Sequence, residues 1–366
     1  MSRSSTTIDP AAPVLVTGAS GYIGSWIVRT LLEAGHTVHG TVRNPDKASG
    51  LEHLHKLSND HPSRLKLFKA DLLEPGSFDE AMNGCELVMH TASPFLISGF
   101  KDAEEALVRP ALEGTRNVLD SVNRTESVKR VVLTSSVVAI YGDARESQDV
   151  PHGVFTEEHW NTTSSADHQP YPYSKTVAER EAWRYQRQQE RWDMVTIHPG
   201  MVLGPSMTTG SDSASLSTMK QFSDGTMLAG APAMAMGVVD VRDVADAHLR
   251  AGFTPEAHGR YLVNADTLTF LEIGKILRRR FGPFYAFPRT TAPKAVFKAI
   301  APVVGLTRKF VDRNVGYPLA FDNTRSRTEL GLTYRPVEQT ISDHFQQMLD
   351  DGLVHRVPGI SLLRRG

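Results

Sequence analysis

The stretch HQPYPYSK, residues 168–175, holds two tyrosines ahead of a lysine. On a helix, side chains four apart share a face and those two apart diverge, so Lys175 belongs with Tyr171 and not with Tyr173. Pro170 and Pro172 suit a first helical turn, where a missing N–H costs little. A phenol titrates near ~10, and a neighbouring ammonium favours its ionised form. Tyr171 is therefore expected to have a lowered pKa and to serve as a general acid and base. Further hydroxyls stand where the run RVVLTSS ends, at Thr134, Ser135 and Ser136. A hydroxyl there could hold a carbonyl oxygen.

A second constellation concerns phosphate. The run VLVT leads directly into Gly18-Ala19-Ser20-Gly21-Tyr22-Ile23-Gly24, a G-x-x-G-x-x-G turn opening a helix. Glycine lets the backbone approach a pyrophosphate, and the helix start offers free N–H donors to the anion. Strand, turn, helix and second strand in this order predict a dinucleotide site. About 20 residues on, NAD-binding folds usually place an acid to accept from the adenosine ribose. Here the sequence is GTVRNPDK, with Arg43 at that place and Lys47 four residues further. Two cations facing the ribose favour a 2′-phosphate, so the expected cofactor is NADPH/NADP, with NADH the weaker ligand. Lys175 is also placed to hold the cofactor's ribose hydroxyls.

These groups need a scaffold. VLVT (14–17), HTVHGTV (36–42), LKLFKA (65–70), ELVMHTA (86–92), RVVLTSS (130–136) and MVTIHP (194–199) read as buried strands separated by helical patterns. Ile23, Ile27 and Leu31, with Trp26 and Leu32, give one apolar helix face that Gly35 should end. The expected class is α/β: a Rossmann-type doubly wound parallel sheet with a smaller, discontinuous C-terminal substrate domain. Residues 1–12 read as a disordered arm, 13–204 with 237–264 as the cofactor domain, and 205–236 with 265–366 as the substrate domain. The segment 238–264 is expected to return the chain to the main sheet. APKAVFKAIAPVVGL, 292–306, reads as a helix packed on its own domain.

Composition removes other functions. The chain has 366 residues, 40% of them hydrophobic, and a formal net charge of −1, which argues against a nucleic-acid partner. No apolar run approaches the ~20 residues that span a bilayer. Cys85 is the only cysteine, so an intramolecular disulfide and a cysteine metal cluster are ruled out. The fourteen histidines show no metal-ligand spacing, so no metal is expected. A cytoplasmic monomer or homodimer follows, with His90 and His198 read as structural.

VTGASGYIG, TVRNPDK, Asp71-Leu72, HTASPF, GTRNVL, LTSS, YPYSK, HPGMVLGP, VDVRDVADAH and FDNTRSRTELGL occur in order over nearly the whole chain. In these pieces the sequence resembles the extended short-chain dehydrogenase/reductases, and within them the dihydroflavonol reductase and cinnamoyl-CoA reductase group with its microbial aldehyde and ketone reductases. The resemblance implies that Ser136, rather than Ser135, is the catalytic serine, completed by Tyr171 and Lys175. It implies cofactor contacts from the glycine turn, from Asp71 and Leu72 to adenine, from Thr91, Ala92 and Ser93 on the ribose side, and from Pro199 to Val202 along the nicotinamide. The implied chemistry is hydride transfer from NADPH to the carbonyl of a hydrophobic or aromatic small molecule, reversible to the alcohol. Pro94, Phe95, Tyr141 and Met207 are expected to line an apolar pocket, with Met219, Met227, Met234 and Met236 nearby as flexible apolar cover, and ordinary packing explains the methionines equally well. The alternatives are an NAD-dependent nucleotide-sugar epimerase or dehydratase, whose V-Y-G ending Tyr141-Gly142 resembles, a 3β-hydroxysteroid dehydrogenase-like enzyme, and a cofactor sensor without turnover. The dehydratases carry Thr-Asp-Glu where this chain has Thr134-Ser135-Ser136.

Overall fold

The computed structural model describes residues 5–47, 49–93, 102–208 and 214–355. Pro94 and Phe95 therefore lie outside the described residues. In chain order the strands are β1 (Val14–Thr17), β2 (Val38–Val42), β3 (Leu65–Lys69), β4 (Leu87–His90), β5 (Arg130–Thr134), β6 (Asp193–Pro199), β7 (Met201–Leu203), β8 (Ala235–Asp240), β9 (Gly259–Val263) and β10 (Asp266–Thr269). The helices of the first part are α1 (Tyr22–Glu33), α2 (Glu52–Asp60), α3 (Asp79–Met82), α4 (Arg109–Arg124) and α5 (Pro170–Gln186). Later come α6 (Ala214–Gln221), α7 (Val241–Phe253), α8 (Phe270–Phe281), α9 (Lys294–Ile300), α10 (Arg308–Asn314), α11 (Thr324–Glu329) and α12 (Val337–Asp350).

Seven strands form one sheet in the order β3-β2-β1-β4-β5-β6-β9, every neighbouring pair parallel. The chain reverses its direction of travel between β1 and β4, which opens a crevice at their carboxyl ends. Alternation along the strands supplies both cores: Val14 and Val16 of β1 face one, Leu15 the other. The first core takes Ile27, Leu31 and Leu32 of α1 and Val244 and Ala247 of α7; the second takes Val118, Leu119 and Val122 of α4. Helix α1 stops as expected, with Gly35 at φ +91° and the His36 N–H bonded back to the Leu31 carbonyl.

Two expectations need correction. Residues 5–12 are not a disordered arm: Ile8 is buried in the first core, the Thr6 N–H bonds to the Pro255 carbonyl at 3.0 Å and the Asp9 N–H to Glu86 at 2.8 Å. One apolar side chain in a polar run is enough to dock the segment. Secondly, only β9 of the 238–264 segment returns to the main sheet; β8 joins a separate three-stranded sheet ordered β10-β8-β7. Val202 and Val239 of that small sheet face the first core, whereas Leu203 and Val238 face another made by Ile273 and Leu277 of α8 and Ile341 and Phe345 of α12.

For the methionines, packing and pocket cover were both open. Met219 and Met227 are buried in the α8–α12 core, and Met207 packs against the first core, so packing accounts for these three. In 292–306, Phe297 and Ala301 pack on Val311 and Val315, while Val296, Ile300 and Val303 are exposed. Among the described residues no helix is long and apolar enough to cross a membrane, and no group of three or more His, Cys, Asp or Glu is placed to hold a metal ion.

Candidate active site

The phosphate turn sits at the carboxyl end of β1. Gly18 adopts φ +67°, and its carbonyl accepts the Gly21 N–H at 2.9 Å. A Cβ on Gly24 would lie 2.2 Å from that same carbonyl oxygen, so the turn closes only with glycine there. No side chain caps the start of α1, whose first turn carries no acid. That leaves a tight backbone cradle and a helix N-terminus suited to a diphosphate, which is the fit a dinucleotide requires. Tyr22 turns its hydroxyl away to the Gly204 carbonyl at 2.6 Å, so only its backbone faces the cradle side of the turn.

Arg43 follows β2 directly, and both Arg43 and Lys47 are exposed. The adjoining Thr41 carbonyl accepts the Ala19 N–H at 3.0 Å, which pins the end of β2 to the phosphate turn. Asp71 and Leu72 follow β3; Ser77 holds the Asp71 carbonyl, and Asn117 the Leu72 carbonyl. At the end of β4, Thr17 Oγ1 accepts the Thr91 and Ala92 N–H groups at 3.1 Å each and bonds His90 Nδ1 at 2.8 Å. Those contacts brace the crevice wall beside Ser93.

Three hydroxyls follow one another at the end of β5 and are used differently. Thr134 bonds His248 Nε2 at 2.7 Å, and Ser135 donates to Glu179 at 2.6 Å. Ser136 accepts a long 3.4 Å bond from the Val138 N–H. Among the described contacts it is thus the least committed hydroxyl, which favours Ser136 over Ser135 as the group that meets a ligand.

Helix α5 carries Tyr171 and Lys175 one turn apart, with Lys175 Nζ 6.0 Å from the Tyr171 ring centre. Pro170 is its first residue, and Gln169 before it takes a left-handed conformation. Gln169 is held there by bonds from its amide to the Gly142 carbonyl and to Asp143. The buried Asp143 also takes His168, Asn314 and Arg313, so α10 is tied to the start of α5.

The protonation states differ from expectation at the tyrosine. Burial pushes Tyr171 up to about 12, where a lowered value was expected, because a phenolate is costly to remove from water. Lys175 itself is pushed down to about 8 by burial, against the pull of Glu179. His90 falls to about 3 through burial and the nearby Lys175 charge, which keeps it neutral and makes it a brace.

Three further predicted residues, Tyr141, Pro199 and Val202, lie in packed positions. Tyr141 lies against Phe155 and Phe321, with ring centres 5.3 and 5.5 Å away, in a small aromatic cluster. Pro199 ends β6, and Val202 is buried in the adjoining β7. Sequence reasoning missed Glu179, although its spacing of four from Lys175 was a usable signal. Its side chain is buried and bonded to His198, Ser135 and Arg260.

Burial alone would raise the Glu179 carboxyl, but His198 and Arg260 outweigh it and hold it at about 2, below the ordinary 4.5. A carboxyl with a depressed folded value stabilises fully above its unfolded value and loses that contribution as pH falls toward the folded one. The melting temperature should therefore drop between pH 5 and pH 3. Glu179→Gln, lacking the titrating group, should drop less over that interval, and equal slopes for the two proteins would contradict this account.

The comparisons with known proteins agree with this geometry. The family model described as "NAD dependent epimerase/dehydratase family" matches residues 14–263. A cinnamoyl-CoA reductase of Medicago truncatula is 36% identical over 92% of this chain and 95% of its own. A tetraketide alpha-pyrone reductase of Arabidopsis thaliana is 35% identical over 94% and 97%. Among solved structures, the yeast methylglyoxal/isovaleraldehyde reductase Gre2 complexed with NADPH superposes with a TM-score of 0.73 at 27% identity, covering 92% of this chain and 98% of that one. With a phosphate cradle at β1 and relatives that match over more than nine-tenths of this chain and of their own, the chain belongs to the NAD dependent epimerase/dehydratase family and is an oxidoreductase of the extended short-chain dehydrogenase/reductase type.

Proposed function

We propose that the protein is an NADPH-dependent carbonyl reductase for a hydrophobic or aromatic small molecule. The observation that carries this reading is the pairing on α5 of a protonated Tyr171 with Lys175, on a helix that packs against the turn following Ser136. The cradle residues Gly18, Ser20, Gly21, Ile23 and Gly24 would hold the diphosphate. Arg43 and Lys47 would meet the 2′-phosphate, and Asp71 with Leu72 the adenine. The bound cofactor supplies the hydride.

In this reading Ser136 donates to the carbonyl oxygen and orients it, and Tyr171 delivers the proton as negative charge builds there. Lys175 holds the ribose side, near Thr91, Ala92 and Ser93. The segment from Pro199 to Val202 flanks the nicotinamide, and Tyr141 belongs to the wider substrate side. The relatives' names support an aromatic or thioester-linked carbonyl or a small aldehyde.

A raised tyrosine value adds a direction. An alkoxide is a stronger base than a phenolate, so a tyrosine that stays protonated at neutral pH is loaded for reduction, whereas alcohol oxidation needs the phenolate that burial disfavours. The test is NADPH oxidation by the purified chain over aromatic and aliphatic aldehydes, ketones, diketones and aryl thioesters. Turnover on one of these classes supports the reading. Silence on all of them, with NAD released on denaturation, returns the nucleotide-sugar chemistry.

A further inference from the structure

Helix α5 makes its large apolar contacts, Trp183 and Tyr185 on the second core, toward its C-terminal end. Its buried positions are Pro172, Ser174, Thr176, Glu179, Glu181 and Ala182, a set with no large aliphatic side chain. Hydrophobic contact is non-directional, and the buried positions beside Tyr171 and Lys175, Pro172, Ser174 and Thr176, supply little of it. Directional bonds must set its position instead. Most of them converge on Glu179, whose side chain is 1% exposed.

One oxygen of Glu179 accepts from Ser135 Oγ at 2.6 Å and from His198 Nε2 at 2.7 Å. The other accepts from Arg260 Nε at 2.8 Å and from Trp183 Nε1 at 3.2 Å. Ser135 immediately precedes Ser136, and His198 immediately precedes Pro199. Arg260, on β9, is itself fixed: its guanidinium lies 3.9 Å from the Trp160 ring centre and donates to the Glu157 and His159 carbonyls. One carboxylate thus joins the helix that carries Tyr171 and Lys175 to the end of β5, to β6 and to β9.

We propose that Glu179 is the positioning residue of this centre, setting the distance from Tyr171 and Lys175 to Ser136 and to the Pro199 segment. The proposal rests on the carbonyl-reductase reading above. Tyr171, Lys175 and Glu179 follow at intervals of four on one helix face, so a shift of the carboxylate moves the phenol with it. A misplacement of about 1 Å can cost about 10²-fold in rate without loss of binding.

The experiment compares kcat, the KM for NADPH and the melting temperature for the wild type, Ser135→Ala, Glu179→Gln and the double variant, on a carbonyl that the wild type reduces. Ser135→Ala removes one bond and leaves the Glu179–Arg260 pair in place. It should lower kcat about tenfold, with the KM for NADPH and the melting temperature nearly unchanged. Glu179→Gln should lower kcat by about 10²-fold. The double variant should be no worse than Glu179→Gln alone, because both changes cut the same link.

A fall in melting temperature with kcat unchanged would show a merely structural residue and overturn the proposal. If Glu179→Gln does not fold, Ser135→Ala decides alone, and a kcat within twofold of wild type overturns the proposal. Wild-type protein that reduces no carbonyl overturns the reductase reading and this proposal together. Wild-type turnover with unaffected variants overturns this proposal only.

Discussion

Tyr171→Phe lowers kcat for carbonyl reduction by about 10²–10⁴-fold, the usual contribution of a positioned general acid. The cofactor still binds, because the substitution removes one hydroxyl and leaves the ring, the phosphate turn and Lys175 in place. Tyr173→Phe leaves kcat within a few-fold, since that ring leaves the helix in another direction from Lys175. Stopped-flow or steady-state NADPH oxidation, with NADPH affinity followed by its fluorescence, separates the two variants. Equal loss in both would take the proton donor away from Tyr171. The raised value near 12 sharpens the expectation, because at neutral pH the wild-type phenol is fully protonated and the reduction rate should not depend on its ionisation. A decline with rising pH should set in near pH 8, where Lys175 loses the charge that holds the ribose side.

Arg43→Ala weakens NADPH binding by about 10–100-fold, the size of one charge-assisted hydrogen bond of about 1.5–3 kcal/mol, and leaves NADH binding nearly unchanged. Exposure of Arg43 at the end of β2 puts it within solvent screening, so the loss should shrink as salt rises. Lys47 stands one turn further along the same loop and should give a smaller loss of the same selectivity. Titration of both cofactors against wild type and variant is the measurement. A matching loss for NADH would remove the 2′-phosphate from the account.

Much of this architecture could be read from residue order. Six strand positions and the phosphate turn follow from β-branched runs meeting glycines, because buried parallel strands and tight anion turns impose strong local demands on residue type. Tyr171 with Lys175 was legible for the same reason, helical spacing being a local property. What stayed hidden depends on contacts far apart in the chain. The docking of Ile8 and the bonds of Glu179 to Ser135, His198 and Arg260 all join distant segments. The tyrosine's pKa was misjudged on the same ground: spacing showed the lysine but not the degree of burial.

The small sheet bears on how such enzymes can be recombined. Alternate residues of β7 and β8 belong to different cores, Val202 and Val239 to one, Leu203 and Val238 to the other. A chimera cut at the joints suggested by composition, near 204 and 237, would place mismatched neighbours on opposite faces of one ribbon. Fragment exchange among related reductases should instead transplant the ribbon intact with whichever half is kept, so that both cores keep their matched faces.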